Sequence, residues 1–75
     1  DRKYDIAKQG NVSLSIYDIT GRKIISLVNK KQDVGAHSVL WNGKNDFGEN
    51  ISGGMYIYRI ESGSFLSTKK LLYIK

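Results

Sequence analysis

Apolar side chains recur at every second position along this chain, in short runs separated by glycine, asparagine and aspartate. A period of two belongs to an extended strand with one face inside, whereas a helix repeats about every 3.6 residues. Val12, Leu14 and Ile16 alternate with Ser13, Ser15 and Tyr17, which predicts a half-buried strand. Lys23 to Val28 predicts a second. Between them Asp18-Ile19-Thr20-Gly21 reads as a tight turn in which glycine supplies a positive φ, so the two strands form an antiparallel hairpin.

The same signals divide the rest of the chain. Lys3 to Ala7 is a short strand candidate with Tyr4 and Ile6 on one face, followed by a turn at Gln9-Gly10-Asn11. A polar connector, Asn29 to Asp33, leads to Gly35–Trp41, where His37, Val39 and Trp41 share a face. Asn42 to Gly54 holds four glycines and three asparagines, too many for regular structure. Two turns are expected there, at Asn45-Asp46-Phe47-Gly48 and Ser52-Gly53-Gly54, with a very short strand near Ile51. Met55 to Glu61 is a strand with Tyr56, Tyr58 and Ile60 on one face. Ser62-Gly63 turns the chain into a last strand, Ser64 to Ile74, in which Leu66, Leu72 and Ile74 share one parity while Phe65, Leu71 and Tyr73 take the other.

Six or seven short strands joined by turns, without helical patterning, predict an all-β fold: an Ig-like antiparallel β-sandwich spanning residues 1–75 as one domain. The expected core is Val12, Leu14, Ile16, Val39, Trp41, Tyr56 and Leu72. A chain of 75 residues buries only roughly 60–65% of its unfolded surface, so its stability is marginal. It has no cysteine, and therefore no disulfide and no Cys/His zinc cluster to compensate. The longest apolar run falls far short of the roughly 20 residues of a membrane-spanning helix. The charged start, Asp1 to Gln9, does not read as a signal peptide; if the protein is exported, its signal lies upstream of this module.

The residue inventory argues against catalysis. The single His37 has no cysteine or acid placed in sequence to make a plausible triad or metal pair with it, and no serine has a credible base to activate it. The chain is therefore expected not to be an enzyme. Asn42, Asn45, Asp46, Glu49 and Asn50 form an oxygen-rich loop with only two carboxylates, where calcium wants about six to eight oxygens. Asn and Asp side chains capping their own turns are the expectation there, with no metal and no cofactor. Gly43, Gly48, Gly53 and Gly54 precede no helix and make no phosphate loop. Tyr17, Tyr56 and Tyr58 lie on period-two strands without an RNA-recognition consensus, and nucleic acid is not an expected partner. Twelve basic against seven acidic residues give a net charge of +5, with a small concentration at Lys69, Lys70 and Lys75. Such a balance reads first as a soluble surface that happens to be basic, and next as attraction to an anionic partner, whether lipopolysaccharide, an acidic protein surface or nucleic acid; charge alone does not choose among them.

An ordered set of motifs adds to this. Val12 to Leu27, VSLSIYDITGRKIISL, resembles the opening hairpin V-x-L-x-I-Y-D-x-x-G-R-x-[VI] of the type IX secretion system C-terminal sorting domain. Val34-Gly35-Ala36-His37 resembles its G-x-[HY] step, and Trp41 the aromatic that follows. Gly53 to Ile60 is similar to its [SAG]-G-[VM]-Y-x-Y-[RK]-[LI] strand, and Thr68 to Lys75 to its closing T-x-K-[LM]-[LV]-x-[LIV]-[KR] signature. Trp41 to Tyr56 also resembles the W-x-G-x-[DN]-x-x-G-x-x-[VI]-x-[SG]-G-x-Y pattern of the Ig-like domain of the flagellar hook-capping protein. The proline-containing segment that often opens sorting domains has no counterpart, since the chain contains no proline.

The resemblance implies a C-terminal module that directs an upstream cargo domain through the periplasm and across the outer membrane of a Gram-negative bacterium. The cargo would end up secreted or on the cell surface. Its partners would be proteins of the type IX machinery, reading a surface with Lys69, Lys70 and Lys75 as charges and Leu71 and Tyr73 as apolar anchors. The alternative is a structural Ig-like assembly module that packs on neighbouring domains or self-associates through its edge strands.

Overall fold

The computed structural model describes residues 2–75; Asp1, the first residue of the expected domain, lies outside the described residues. Six strands follow in order: β1 (Arg2–Ile6), β2 (Gly10–Asp18), β3 (Lys23–Gln32), β4 (Gly35–Val39), β5 (Gly54–Ser62) and β6 (Phe65–Tyr73). They make an all-β, antiparallel, sandwich-like arrangement. One sheet has four strands in the order β3-β2-β5-β6; the other is the pair β1-β4.

The larger sheet grows from two hairpins. At the β2–β3 turn the Gly21 amide donates to the Asp18 carbonyl at 3.0 Å, and Gly21 takes φ 92°. Asp18 Oδ1 accepts from the Thr20 amide, the Thr20 hydroxyl and the Arg22 amide at 2.9, 2.6 and 3.0 Å. Its Oδ2 meets Arg22 Nε at 3.2 Å. These bonds favour the carboxylate, the Thr20 hydroxyl most of all, and hold the Asp18 carboxyl below its ordinary pKa. The turn motif is thus one acid collecting the unpaired amides of a reversal.

Both sheets meet on one face of the larger one. Ile6, Val12, Leu14, Val28 and Ile60 form one buried cluster, with Tyr4, Leu27 and Val39 packed against it. Ile16, Tyr56 and Leu71 form the second, lined by Ile24, Trp41, Ile51, Tyr58 and Tyr73. The β1-β4 pair covers the first cluster. Tyr4 ties it down by donating to Gln32 Oε1 at 2.7 Å, and Arg2 lies 5.5 Å over the Tyr58 ring. The loop from Leu40 to Gly53 covers the second.

Four expectations need correction. Leu72 is 59% exposed, and Leu71 is the buried residue. β5 and β6 pair in the register Tyr56↔Leu71 and Met55↔Leu72, and directly opposed residues share a face. Leu71 therefore joins Tyr56 inside, while Leu72 joins Met55 outside. Second, β3 runs on to Gln32 and β2 begins at Gly10, so all of the expected connector but Asp33, and all of the expected turn but Gln9, are strand. Gly10↔Gln32 and Asn11↔Lys31 extend the hairpin, and the polar side chains are tolerated because β3 is an edge open to water. Third, β4 stops at Val39 because its pairing with β1 ends at Arg2↔Val39; Trp41 lies beyond it in the loop. Fourth, no strand forms at Ile51; the nearest pairing is a single bridge, Lys44↔Asn50. Val39 and Trp41 are half-buried, while Val12, Leu14, Ile16 and Tyr56 are buried as the alternation predicts.

Candidate recognition surface

β6 is the candidate surface, and its position follows from the loop that precedes β5. Trp41 packs on Tyr56 and Tyr73, with ring centroids 5.7 and 5.2 Å away, and its indole donates to the Lys44 carbonyl at 3.0 Å. Tyr56 donates its hydroxyl to the Ser52 carbonyl at 2.6 Å. Gly43 is buried at φ 75°, with the Tyr73 ring so close that a Cβ there would lie 2.6 Å from Tyr73 Cζ. Only glycine combines that backbone with that approach. The Trp, Gly and Tyr of the motif are therefore one packed unit that holds Tyr73, and with it the end of β6, against the core.

The oxygen-rich loop spends its side chains on its own backbone. Asn45 Oδ1 accepts from the amides of Phe47 and Glu49 at 2.9 and 3.0 Å, and Asn45 Nδ2 donates to Glu49 Oε1 at 2.8 Å. Asn42 Oδ1 accepts from the Lys44 amide. Asp46 reaches across to β3: its amide donates to the Ile24 carbonyl at 3.0 Å, and its Oδ1 accepts from the Ser26 amide at 3.3 Å. The β3 edge of the larger sheet is thereby capped at Ile24 and Ser26.

The other edge is β6. It pairs with β5 alone, over nine residue pairs without a register shift. From Ser62 to Lys75 the sequence holds three lysines and no acid. Lys69, Lys70 and Lys75 are exposed, and among the described residues none of them has an ion-pair partner. Of the two expected apolar anchors, Leu71 is buried and Tyr73 is half-buried against Trp41, so neither presents its side chain fully to solvent. The exposed apolar residues of β6 are instead Phe65, Leu66 and Leu72. The signal for this was present in the sequence: a two-residue turn pairs even-numbered with odd-numbered positions, which puts Leu71 rather than Leu72 beside Tyr56.

His37 is half-buried, stacked on Tyr4 at 5.5 Å, with Nε2 bonded to the Asp33 carbonyl at 2.8 Å. A carbonyl only accepts, so Nε2 carries the proton and the ring works as a packing group that ties β4 to the β3–β4 connection.

These features define an Ig-like β module whose signature residues build turns and an aromatic clasp. The sequence model of the FlgD Ig-like domain matches residues 6–64, more than three-quarters of the chain, and the chain belongs to that family. This bears out the likeness to the Ig-like domain of the flagellar hook-capping protein. The matched segment ends at Ser64, so β6 lies beyond it. No curated protein and no solved structure matches the chain.

Proposed function

We propose that this Ig-like module is a type IX secretion C-terminal sorting domain, a folded and non-enzymatic address that carries an upstream cargo domain across the outer membrane to the cell surface. The observation that carries this reading is β6: an acid-free, lysine-bearing edge strand that holds the Thr68-to-Lys75 signature as far as Tyr73. Exposed lysines contribute little to stability, and here they stand where a partner with anionic groups would meet them. The secretion machinery is the proposed reader, and anionic lipopolysaccharide at the destination is a proposed second contact. The Ig-like core supplies a rigid support for the strand; the strand supplies the address.

The test is a fusion of residues 1–75 to the end of a periplasmic reporter in a type IX-competent strain. Export of the reporter is the expected result. A variant carrying Lys69→Gln, Lys70→Gln and Lys75→Gln should keep its melting temperature and lose export, because exposed charges away from the core shift stability by only about 0.5 kcal/mol. Retention of the intact fusion, in a strain that exports an established sorting domain, would refute the reading.

The second reading, a structural assembly module, is favoured by one observation. Met55, Leu66 and Leu72 leave apolar surface exposed beside an unpaired strand edge. Concentration-dependent self-association of the isolated chain in sedimentation experiments would support it; a monomer at all concentrations would count against it.

A further inference from the structure

We propose that β6 is recognised by strand addition: an extended segment of another polypeptide, with two adjacent acidic residues flanked by apolar ones, pairs along its free edge. This deepens the reading of β6 as the recognised element and rests on it. Three observations support the mode. The free edge is long and regular, nine residues with no bulge, no proline and no register shift against β5. By contrast, the β2–β3 ladder is interrupted at Leu14/Ser15 and at Ile16/Tyr17. Bulges, prolines and edge lysines are how natural edges refuse new strands; β6 has no bulge and no proline, and its guard is the charge of Lys69 and Lys70, which an acidic strand would neutralise. Finally, Asp46 occupies the opposite edge of the same sheet at Ile24 and Ser26, so the start of β3 is covered while β6 runs uncovered among the described residues.

The side chains specify the occupant. Lys69 and Lys70 are consecutive, so they point to opposite faces of the sheet, and each meets a different residue of an added strand. Two consecutive acids answer both. Leu66 and Leu72 lie on the same face as Lys70, one towards each end of the strand, and call for apolar residues on either side of the acids. Elsewhere on the sheet Arg59 is met by Glu61 at 3.4 Å, but no acid of the described residues answers these lysines. A second copy of this chain is a poor occupant. In the antiparallel register that pairs all nine residues of β6, Lys69 faces its own counterpart, and like charges directly opposed disfavour pairing. Registers that separate the lysines give up strand pairs.

The probe is a synthetic peptide, Val-Thr-Val-Glu-Glu-Thr-Val with blocked ends, titrated against the isotope-labelled 75-residue chain and followed by amide NMR. Saturable shifts confined to β6 and the adjoining part of β5 are expected. Replacing both glutamates by lysine should abolish them, and Lys69→Gln with Lys70→Gln should weaken binding roughly fivefold, as two cross-strand charge pairs imply. The deciding arm uses two peptides N-methylated on alternate residues, one on each set. A strand added to an edge directs one set of amides at β6 and the other away, so one peptide should bind and the other should not. Equal binding by both would reduce the contact to charge attraction and overturn the proposal. Shifts that arise from dimerisation of the chain through β6, with the peptide excluded, would overturn it as well. Peptide binding beside a failed export assay would refute sorting and leave the edge site standing. Export with equal binding of both methylated peptides would do the reverse.

Discussion

The two edges of the four-stranded sheet have opposite fates. At β3 the loop carrying Asn45 and Glu49 folds back, and Asp46 takes up the Ile24 carbonyl and the Ser26 amide. At β6 no strand of the described residues other than β5 is laid alongside, and basic Lys69, Lys70 and Lys75 mark its second half and the residues after it. An unprotected edge invites unwanted pairing, and small β domains usually blunt theirs. Here one edge is blunted by a loop at Ile24 and Ser26 and stays open to water from Asn29 to Gln32, while the other relies on lysines. Those lysines repel a second β6 while leaving the backbone available, which is the balance wanted in a strand that is to be read by a different partner.

The clasp that builds the protected edge should give the largest effect. Trp41→Ala removes the ring that joins Tyr56 and Tyr73 and frees the loop that delivers Asp46. A loss of about 3 kcal/mol, near the whole stability of so small a domain, is expected from chemical denaturation. An unchanged melt would show that the loop stands without its aromatic support. Next comes the pair that fixes which face of β6 is inside. Leu71→Ala should cost about 2–3 kcal/mol and Leu72→Ala less than about 1 kcal/mol. The reverse order would mean that the β5–β6 register is shifted by one residue.

Asp46→Ala opens the β3 edge without touching the core. About 0.5–1.5 kcal/mol should be lost, with faster amide exchange at Ser26 and no change along β6. A global loss of protection would show that the cap supports the fold rather than one edge. The smallest effect belongs to Asp18. Its carboxyl is held below the ordinary value of 3.8, chiefly by the Thr20 hydroxyl and then by the Arg22 amide. The stability this contributes is present above the ordinary carboxylate pKa and is lost as pH falls through the lower folded value. Melting temperatures taken from about pH 6 down to about pH 2 should decline less steeply for Asp18→Asn than for the parent. Equal slopes would show that the turn bonds do not depend on the charge.

Much of this fold is legible in the sequence because hairpins are local. Val12, Leu14 and Ile16 announce their face by alternation, and Gly21 marks the reversal that pairs them with β3. The Trp41, Gly43 and Tyr56 pattern is legible as a motif, although its physical reason, room for the Tyr73 ring, needs the fold. What escaped was set by pairing rather than by pattern. Asn29 to Gln32 look like a loop because their side chains are polar, yet the backbone of an edge strand needs only a partner on one side. Leu72 looks internal by its own strand's pattern, and the register against Tyr56, which the two-residue turn after Ser62 sets, puts Leu71 there instead. The asymmetry of the edges depends on a residue 20 positions from the amide it caps, a distance no local pattern reports.

Amide hydrogen exchange on the free chain tests the central claim most directly, since it reads both edges in one experiment. The Ser26 amide, bonded to Asp46, should be protected. Along β6 protection should alternate, with amides directed at β5 slow and those directed away exchanging at nearly the rate of an unfolded chain. Uniform protection along β6 at concentrations where the chain is monomeric would mean that the edge is already covered. The contrast between the two edges, and the recognition built on it, would then be wrong.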